Sequence, residues 1–295
     1  MTTSELTIHF SGFWETFYSE SADVVTKNRI LEVLFPFLAP ENEVSLRRAD
    51  LVICSVFSDL KRLQKIKSRR GRTIRIIQLT CEARITDPEH NFIDLTIGSD
   101  KEGSKDVICP LSLIYYRINR SQLSSPVSRP FDQRKFAVMV GRRTGMRKAI
   151  YDALSAYKPI DGYGEMFDNR APGKYWDQEY INLLSEYRFV ICFENEFRRG
   201  YHTEKIINPL IAGCIPVYWG SPFIEKIISP ERMLSLQDRD QIRSLVQEIR
   251  QVDQDGQRFE QILSENPWAR GSWQATEKKF GCKRAVDRIK AFLEV

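Results

Sequence analysis

Residues 188–220 constrain the fold more than any other part of this 295-residue chain. They contain two short, continuous apolar runs, 189–193 and 215–219, and each run is typical of a buried strand. Between them, residues 203–212 carry apolar side chains at helical spacing, and Gly213 follows as a helix stop. Strand, loop, helix and strand in this order predict a βαβ unit with parallel strands, and therefore an α/β fold.

The loop after the first of these strands carries the polar residues that suggest a ligand site. In parallel sheets, the loop at the carboxyl end of a strand opens onto the ligand crevice. This loop and the start of the next helix hold Asn195, Arg198, Arg199, Tyr201, Glu204 and Lys205. A helix N-terminus with cations beside it binds anions, phosphate above all. Because the chain has neither a Walker-type loop nor G-x-G-x-x-G spacing, these residues predict phosphate or pyrophosphate held by side chains. They do not indicate which phosphate-containing ligand binds.

Four short motifs in this stretch resemble the donor-binding region of one enzyme family. They are Phe193-Glu194-Asn195, Gly200-Tyr201, Thr203-Glu204-Lys205 and the Ile-Pro-Val-Tyr-Trp-Gly run at 215–220. The chain is thus similar to the α1,3/α1,4-fucosyltransferases, glycosyltransferase family ten. It departs from the family pattern at Glu196, His202 and Pro209, but not at the charged positions of the motifs. Pro209 is expected to interrupt or kink the helix after its first turn.

The resemblance implies two Rossmann-like α/β domains that face each other across a cleft, the GT-B type of glycosyltransferase. We expect an acceptor-binding domain in 1–120, a linker in 121–133, a GDP-sugar-binding domain in 134–275 and a C-terminal helix in 276–295. The implied reaction is inverting transfer of L-fucose from GDP-β-L-fucose to a glycan hydroxyl, O3 of N-acetylglucosamine. The implied acceptor is an oligosaccharide or glycolipid, and no metal or other cofactor is required.

Apolar patterning along the rest of the chain predicts an open α/β sheet in which strands alternate with helices. The predicted strands are 6–11, 49–57, 73–80, 92–97, 111–116 and 136–140. The predicted helices are 23–38, 145–157, 177–187 and 276–293.

The resemblance also gives roles to individual residues of the donor half. Arg147 matches the family's Arg-x-x-x-Tyr-Asp-Ala-Leu segment, whose arginine contacts the donor diphosphate. An arginine in the first turn of a helix is unfavourable with respect to the helix macrodipole unless an anion is bound there. If the family resemblance is left aside, an exposed arginine is an equally good interpretation of Arg147. Lys205 is implied to bind the diphosphate. Glu204 is implied to contact the ribose or the fucosyl ring and to favour positive charge growing there. Asn195 and Tyr201 resemble further donor contacts.

Glu82 is the catalytic candidate outside this region. It follows the predicted strand 73–80, within Thr80-Cys81-Glu82-Ala83, and from position alone it is a surface turn residue. In the family, a glutamate in a Thr-Gly-Glu-Asn context after an equivalent strand acts as general base. That resemblance implies that Glu82 accepts the proton of the acceptor hydroxyl, which is worth about 10²–10⁴ in rate.

Composition and residue spacing argue against several other classes of protein. A hydrophobic share of 42% and a charged share of 28% are those of an ordinary globular protein. No run is long enough to span a membrane, and the start lacks a signal peptide, a stem or an anchor, which predicts a cytoplasmic protein. Six scattered cysteines without a C-x-x-C pair predict buried free thiols. Two Asp-x-Asp patterns, at 238–240 and 253–255, are interpreted as solvated faces and not as a metal site.

The segment from Lys61 to Arg75 concentrates basic residues, while the net charge of the whole chain is only +5. The plainest interpretation is a solvated helix and turn between two strands. Peripheral contact with an anionic membrane or glycolipid surface remains open, and nucleic acid is the weakest of the three alternatives. Two other functions stay open as well: a transferase of the same fold with another sugar nucleotide, and a non-catalytic anion- or glycan-binding protein.

Overall fold

The computed structural model describes residues 6–18, 26–80, 91–98, 103–118, 126–142, 145–173 and 177–294. The chain forms two compact units, one of Met1–Ile118 with Glu277–Val295 and the other of Asn119–Thr276. Each unit contains a sheet of five parallel strands. This architecture confirms the predicted α/β class.

The elements follow the predicted alternation of strands with helices. The strands are β1 (Ile8–Ser11), β2 (Leu51–Ser55), β3 (Arg75–Leu79), β4 (Leu95–Ile97), β5 (Asp106–Val107), β6 (Lys135–Val140), β7 (Asp161–Tyr163), β8 (Tyr187–Phe193), β9 (Ile215–Trp219) and β10 (Leu234–Ser235). The α-helices are α1 (Lys27–Leu34), α2 (Leu60–Arg70), α3 (Leu111–Ile118), α4 (Gly145–Ser155), α5 (Gln178–Ser185), α6 (Glu204–Ile211), α7 (Ile242–Asp253), α8 (Gly256–Ser264), α9 (Trp273–Phe280) and α10 (Cys282–Leu293).

The first unit has its strands in sequential order, β1 to β5. Strand β2 is buried at all of its positions, which requires cover on both faces of the sheet. On one face the core includes apolar side chains of α1, α3 and α10, and on the other it includes Leu63 of α2. The last helix therefore packs into the first unit, and Arg75 on β3 donates to the carbonyl of Leu293 at 3.1 Å.

Two of the predicted elements are wrong. Residues 111–116 are helical in α3, where the carbonyl of Pro110 accepts from the amides of Leu113 and Ile114. Residues 112–116 are all buried, so their pattern has no polar face to distinguish a helix from a strand. The predicted helix 276–293 is instead two helices, α9 and α10, separated at Gly281.

The second unit carries its strands in the order β10-β9-β8-β6-β7. Chain order therefore reverses at β6, because β7 lies on one side of it and β8 on the other. Helix α6 begins after Thr203 and is followed by Gly213 at φ +67°, as the sequence predicts. Pro209 lies within α6, but the helix continues to Ile211, so the expected interruption does not occur.

Asp253, which the sequence predicts to lie on a solvated face, is buried in the second unit. Its carboxylate accepts from Tyr157 at 2.9 Å and from Arg188 at 2.7 Å, and it also pairs with Lys158. It thereby joins α7 to β8 and to the segment after α4. The periodicity of an amphipathic helix does not reveal such a group, because both cationic partners come from distant parts of the chain.

Two further properties of the described residues concern the cysteines and possible membrane spans. The described cysteines, all but Cys81, are buried free thiols, as predicted. Within the same residues, every helix is either too short or too polar to cross a bilayer.

Candidate functional site

The reversal of strand order in the second sheet marks a ligand site by topology alone. In open α/β sheets, ligands bind outside the carboxyl ends of the strands where the order reverses, and an order of this kind places the site between the first and third strands. Here these are β6 and β8. Because the chain runs from β6 into α4 and from β8 towards α6, Arg147 and Lys205 both lie close to this edge.

Arg147 reaches from the first turn of α4 to the carboxyl end of β8. Its Nε and Nη2 donate to the carbonyl of Phe193, the last residue of β8, at 3.2 and 2.6 Å. Nη1 donates to the carbonyl of Arg142 at 3.2 Å, and Nη2 to Oδ1 of Asn195 at 2.9 Å. The side chain is 2% exposed. Carbonyl oxygens thus offset the unfavourable position of a cation near a helix N-terminus, and the exposed alternative is wrong.

The ammonium of Lys205 lies beside Glu194, the residue that directly follows β8. Its Nζ donates to Oε1 of Glu204 at 3.2 Å and to the hydroxyl of Thr203 at 3.1 Å, and it lies 3.6 Å from Oε2 of Glu194. The Lys205 side chain is 25% exposed, whereas that of Glu194 is fully buried. The cation of Lys205 is therefore embedded among acceptors on one side and open to solvent on the other.

Glu194 is held mainly by the turn that begins α6. Its Oε1 accepts from the amide of Thr203 at 2.7 Å, and its two oxygens lie 3.1 and 3.0 Å from the Thr203 hydroxyl. Gly220, just after β9, faces the same carboxylate, because a Cβ built there would lie 2.7 Å from Cγ of Glu194. The same Cβ would lie 2.5 Å from the Tyr218 hydroxyl, so any side chain at position 220 would have to displace Tyr218 and Glu194.

For both Glu194 and Lys205, burial and the neighbouring opposite charge shift the pKa in opposite directions. Burial raises the pKa of the Glu194 carboxyl above its usual value, the Lys205 ammonium opposes the shift, and the Glu204 carboxylate adds to it. For Lys205, burial alone would lower the pKa, but the Glu204 and Glu194 carboxylates outweigh it, so the pKa is raised. Lys205 therefore stays charged at neutral pH, and Glu194 accepts a proton more readily than an exposed glutamate does.

Asn195 and Tyr201 extend the hydrogen bonds of Arg147 along the loop after β8. The exposed Asn195 binds Arg147 through Oδ1, and its Nδ2 lies 3.5 Å from the hydroxyl of the buried Tyr201. The amide of Gly200 donates to the buried hydroxyl of Ser221 at 2.7 Å, which ties this loop to the end of β9. The structure thus brings together every predicted donor-binding residue at one end of the second sheet.

The two arginines of the loop and His202 lie against aromatic rings. The guanidinium of Arg198 lies over the ring of Tyr201 and that of Arg199 over the ring of Phe223, at 5.6 and 5.9 Å. His202 is fully buried and stacked on Phe223, and burial lowers its pKa to about 3. His202 is therefore neutral at physiological pH and does not act there as an acid.

Two further expectations concern groups away from this cluster. Glu82 lies outside the described residues, so its role stays a prediction. No set of three or more histidine, cysteine, aspartate or glutamate side chains is arranged to hold a metal ion in the part of the chain that the structure describes. The arrangement itself offers two charged groups, guanidinium and ammonium, at one strand end. That is the chemistry that binds a diphosphate.

The sequence does not predict a role for two residues of this cluster, Glu194 and Ser221. Glu194 lies within one of the four motifs. Its burial was not foreseen, because burial depends on Thr203 and Lys205 folding back over it. Ser221 directly follows the last motif, and no periodic signal singles it out.

Comparison with known proteins gives the cluster a family context. Residues 133–285 match the family model described as "Glycosyltransferase family 10 (fucosyltransferase) C-term". The chain is 33% identical over 122 residues to the alpha-(1,3)-fucosyltransferase FucT of Helicobacter pylori, a match covering 41% of this chain and 25% of the relative. It is 32% identical over 125 residues to a GDP-fucose protein O-fucosyltransferase 3 of Gallus gallus, covering 40% of this chain and 26% of the relative.

These matches span about a quarter of the length of the curated relatives. A crystal structure of an alpha1,3-fucosyltransferase with GDP-fucose superposes with a TM-score of 0.71 at 20% identity, covering 100% of this chain and 92% of that one. This likeness shows a shared fold, the GT-B architecture. The family model covers more than half of the chain and includes Arg147, Glu194 and Lys205. The chain that carries this strand-end cluster therefore belongs to glycosyltransferase family 10, the fucosyltransferase family.

Proposed function

We propose that this protein transfers L-fucose from GDP-β-L-fucose to an acceptor hydroxyl, with inversion at the sugar carbon. The observation that carries the proposal is the convergence of Arg147 and Lys205 on consecutive residues at the end of β8. Arg147 binds the carbonyl of Phe193, and Lys205 lies beside the carboxylate of Glu194. Two cations at one strand end suit a diphosphate, which carries most of the charge of a sugar nucleotide.

The proposed chemistry uses these cations on the leaving group. The acceptor oxygen attacks C1 of fucose, the bond from C1 to the phosphate oxygen breaks, and GDP leaves with the electron pair. Arg147 and Lys205 neutralise the charge that develops on the diphosphate, and one such preorganised contact is typically worth about 10²–10³ in turnover. No divalent cation is required in this proposal.

The other site residues have subsidiary roles in the proposal. Glu204, which begins α6, lies near the ribose or the fucosyl ring and favours positive charge on that ring. Asn195 and Tyr201 contact the donor. The hydrogen bond from Arg147 to Asn195, and the 3.5 Å approach of Asn195 to the Tyr201 hydroxyl, support this assignment. Glu82 keeps the role of general base that the resemblance implies.

Two classes of acceptor fit the family. The Helicobacter pylori relative is named as an alpha-(1,3)-fucosyltransferase, and the Gallus gallus relative as a protein O-fucosyltransferase. We favour O3 of N-acetylglucosamine in an oligosaccharide or glycolipid. A serine or threonine hydroxyl of a protein is the second candidate, since identity to the two relatives is almost equal, at 33% and 32%.

The direct test is analysis of the product. The protein is incubated with GDP-fucose and a panel of type 1 disaccharides, type 2 disaccharides and an acceptor polypeptide, and the linkage is determined by mass spectrometry and NMR. We expect α-linked fucose at O3 of N-acetylglucosamine. GDP-mannose and UDP-glucose serve as control donors, and transfer from either of them in preference to GDP-fucose would replace the proposed donor.

A cationic surface on α2 supports peripheral contact with an anionic membrane, from which a glycolipid acceptor would be reached. Among the described residues, Lys67 pairs with Asp94 at 2.7 Å and Arg70 with Asp50 at 3.8 Å. The exposed cations of this segment that form no ion pair with any described residue are Lys61, Arg62, Lys65, Arg69 and Arg72. Each contributes about 1 kcal/mol of attraction near an anionic leaflet.

Co-sedimentation with vesicles tests this surface. We expect binding to phosphatidylserine vesicles, no binding to phosphatidylcholine vesicles, and loss of binding when Lys61, Lys65 and Arg69 are replaced together by glutamine. Binding that persists in this variant, or no binding at low salt, would leave α2 as an ordinary solvated helix.

A further inference from the structure

Glu194 is a fully buried carboxyl in direct contact with the donor-binding cluster, and none of the roles assigned above uses it. It follows Phe193, whose carbonyl holds Arg147, and it lies 3.6 Å from the ammonium of Lys205. Its other contacts are with the amide and the hydroxyl of Thr203. It therefore joins the end of β8 to the start of α6.

A glutamate at this position needs an explanation, because the hydrogen bonds alone do not require a charge. A glutamine would accept from the amide of Thr203 in the same way. Burying a carboxylate is costly, and the ammonium of Lys205 offsets this cost more than the hydrogen bonds from Thr203 do. The charge of Glu194 is thus matched mainly to Lys205.

The balance of charge changes when a diphosphate enters. In the free protein, one ammonium is shared by two carboxylates, Glu194 and Glu204. A diphosphate that takes over Lys205 leaves Glu194 buried beside additional negative charge. The side chain of Glu204 is 20% exposed and is solvated, whereas Glu194 has no contact with water. The carboxyl that becomes neutral is therefore Glu194.

We propose that Glu194 is a positioning residue of the donor site, which holds Lys205 at the end of β8 in the free protein and takes up a proton from solvent when a diphosphate engages Lys205. This inference rests on the proposed function only in taking the ligand to be a sugar nucleotide. In the bound state, Lys205 directs its charge to the phosphate oxygens, and the neutral Glu194 still accepts from Thr203.

Two buried titratable groups beside Glu194 stay protonated at neutral pH. Tyr218 on β9 and Cys192 on β8 are buried, and burial raises the pKa of both. Tyr201 is the further titratable side chain whose charge would act on Lys205. Lys205 keeps its proton, because the pKa of its ammonium is raised. Glu204 is the remaining carboxyl, and it provides the matched control.

The test measures GDP-fucose affinity by calorimetry from about pH 5.5 to about pH 8. The diphosphate of GDP-fucose is a diester without an ionisation in this range, so a change in affinity reports on the protein. We expect wild-type affinity to rise as pH falls, by up to about tenfold per pH unit for one full proton. Repeating the titration in buffers of different ionisation heat counts the proton directly.

Three variants separate the charge of Glu194 from its shape. Glu194→Gln should bind with pH-independent affinity, Glu194→Asp should keep the pH dependence, and Glu204→Gln should keep it as well. If Glu194 were purely structural, Glu194→Gln would keep the acceptor for Thr203 and would bind GDP-fucose with the same pH dependence as wild type. The inference is overturned if Glu194→Gln shows the wild-type pH dependence, if Glu204→Gln abolishes it, or if wild-type affinity does not change with pH.

A parallel titration with inorganic pyrophosphate distinguishes this inference from the proposed function. Pyrophosphate ionises itself, but the ratio of wild-type to Glu194→Gln affinity at each pH cancels that contribution. If GDP-fucose fails to bind while pyrophosphate binds with a Glu194-dependent pH profile, the proposed donor is wrong and the inference holds. If neither ligand binds to the folded protein, both are wrong.

Discussion

Replacing Lys205 with methionine removes the cation that faces Glu194 and keeps a side chain of similar length. In the variant, the buried Glu194 carboxylate has lost the ammonium at 3.6 Å and keeps only the contacts to Thr203. A buried carboxylate without its cation accepts a proton and stays in the folded protein as a neutral group. The cost of the substitution is therefore the cost of protonating Glu194.

The size of that cost is set by the difference between the pH and the pKa of the carboxyl. Protonating a glutamate of ordinary pKa 4.5 at pH 7.5 costs about 4 kcal/mol. Burial already raises the pKa of Glu194 in the wild type, so part of this cost is present before the substitution. We expect Lys205→Met to lose about 2–4 kcal/mol of unfolding free energy at pH 7.5, close to the range for breaking a buried ion pair.

The sign of the pH dependence is fixed by the same argument. In the variant, the folded protein binds a proton at Glu194 that the unfolded chain releases above about pH 4.5. Stability relative to wild type should therefore recover as the pH falls towards 5 and decline as it rises to 7.5. Urea denaturation across this range measures both effects.

A second substitution isolates the pair. Lys205→Met combined with Glu194→Gln leaves a neutral contact of similar shape, and we expect it to restore most of the lost stability at pH 7.5. The coupling in this double-mutant cycle should be about 1–3 kcal/mol. A deficit in Lys205→Met that is the same at every pH, and that Glu194→Gln does not reduce, would refute the reasoning.

Three further substitutions test other parts of the account. Arg147→Ala should raise the GDP-fucose dissociation constant at least about tenfold, because a charged hydrogen bond is worth about 1.5–3 kcal/mol; unchanged affinity in calorimetry would remove Arg147 from the site. Glu82→Gln should lower turnover by about 10²–10⁴ and leave GDP-fucose affinity intact, whereas equal loss of both would indicate a structural role. Asp253→Asn should lower the unfolding free energy by about 3 kcal/mol at neutral pH, since Arg188 loses its buried partner, without changing donor affinity. Lys158 and Arg188 hold the pKa of Asp253 below its usual value against the opposing effect of burial, so this difference should disappear in acid; a deficit that persists there would contradict it.

The central βαβ unit could be predicted from the sequence because its signals are local. Strand β9 is predicted to the residue, and α6 lies between the threonine and the glycine that the pattern indicated. Continuous apolar runs, a capping threonine and a glycine at positive φ act within a few residues of the chain.

The misinterpreted elements depend on contacts that are distant along the chain. Helix α3 is buried along most of its length, so apolarity alone did not distinguish it from a strand. The reversal at β6 is set by the pairing of β7 and β8 on its two sides, and β7 is too short for a periodic pattern. The burial of Glu194 and Asp253 likewise arises from partners that the tertiary fold supplies.

The most direct measurement of the central claim is a crystal structure of this protein with GDP. The account predicts the diphosphate at the carboxyl ends of β6 and β8, with phosphate oxygens within hydrogen-bond distance of the Arg147 guanidinium and the Lys205 ammonium. A diphosphate bound elsewhere, or bound at this edge without contact to either side chain, would contradict it.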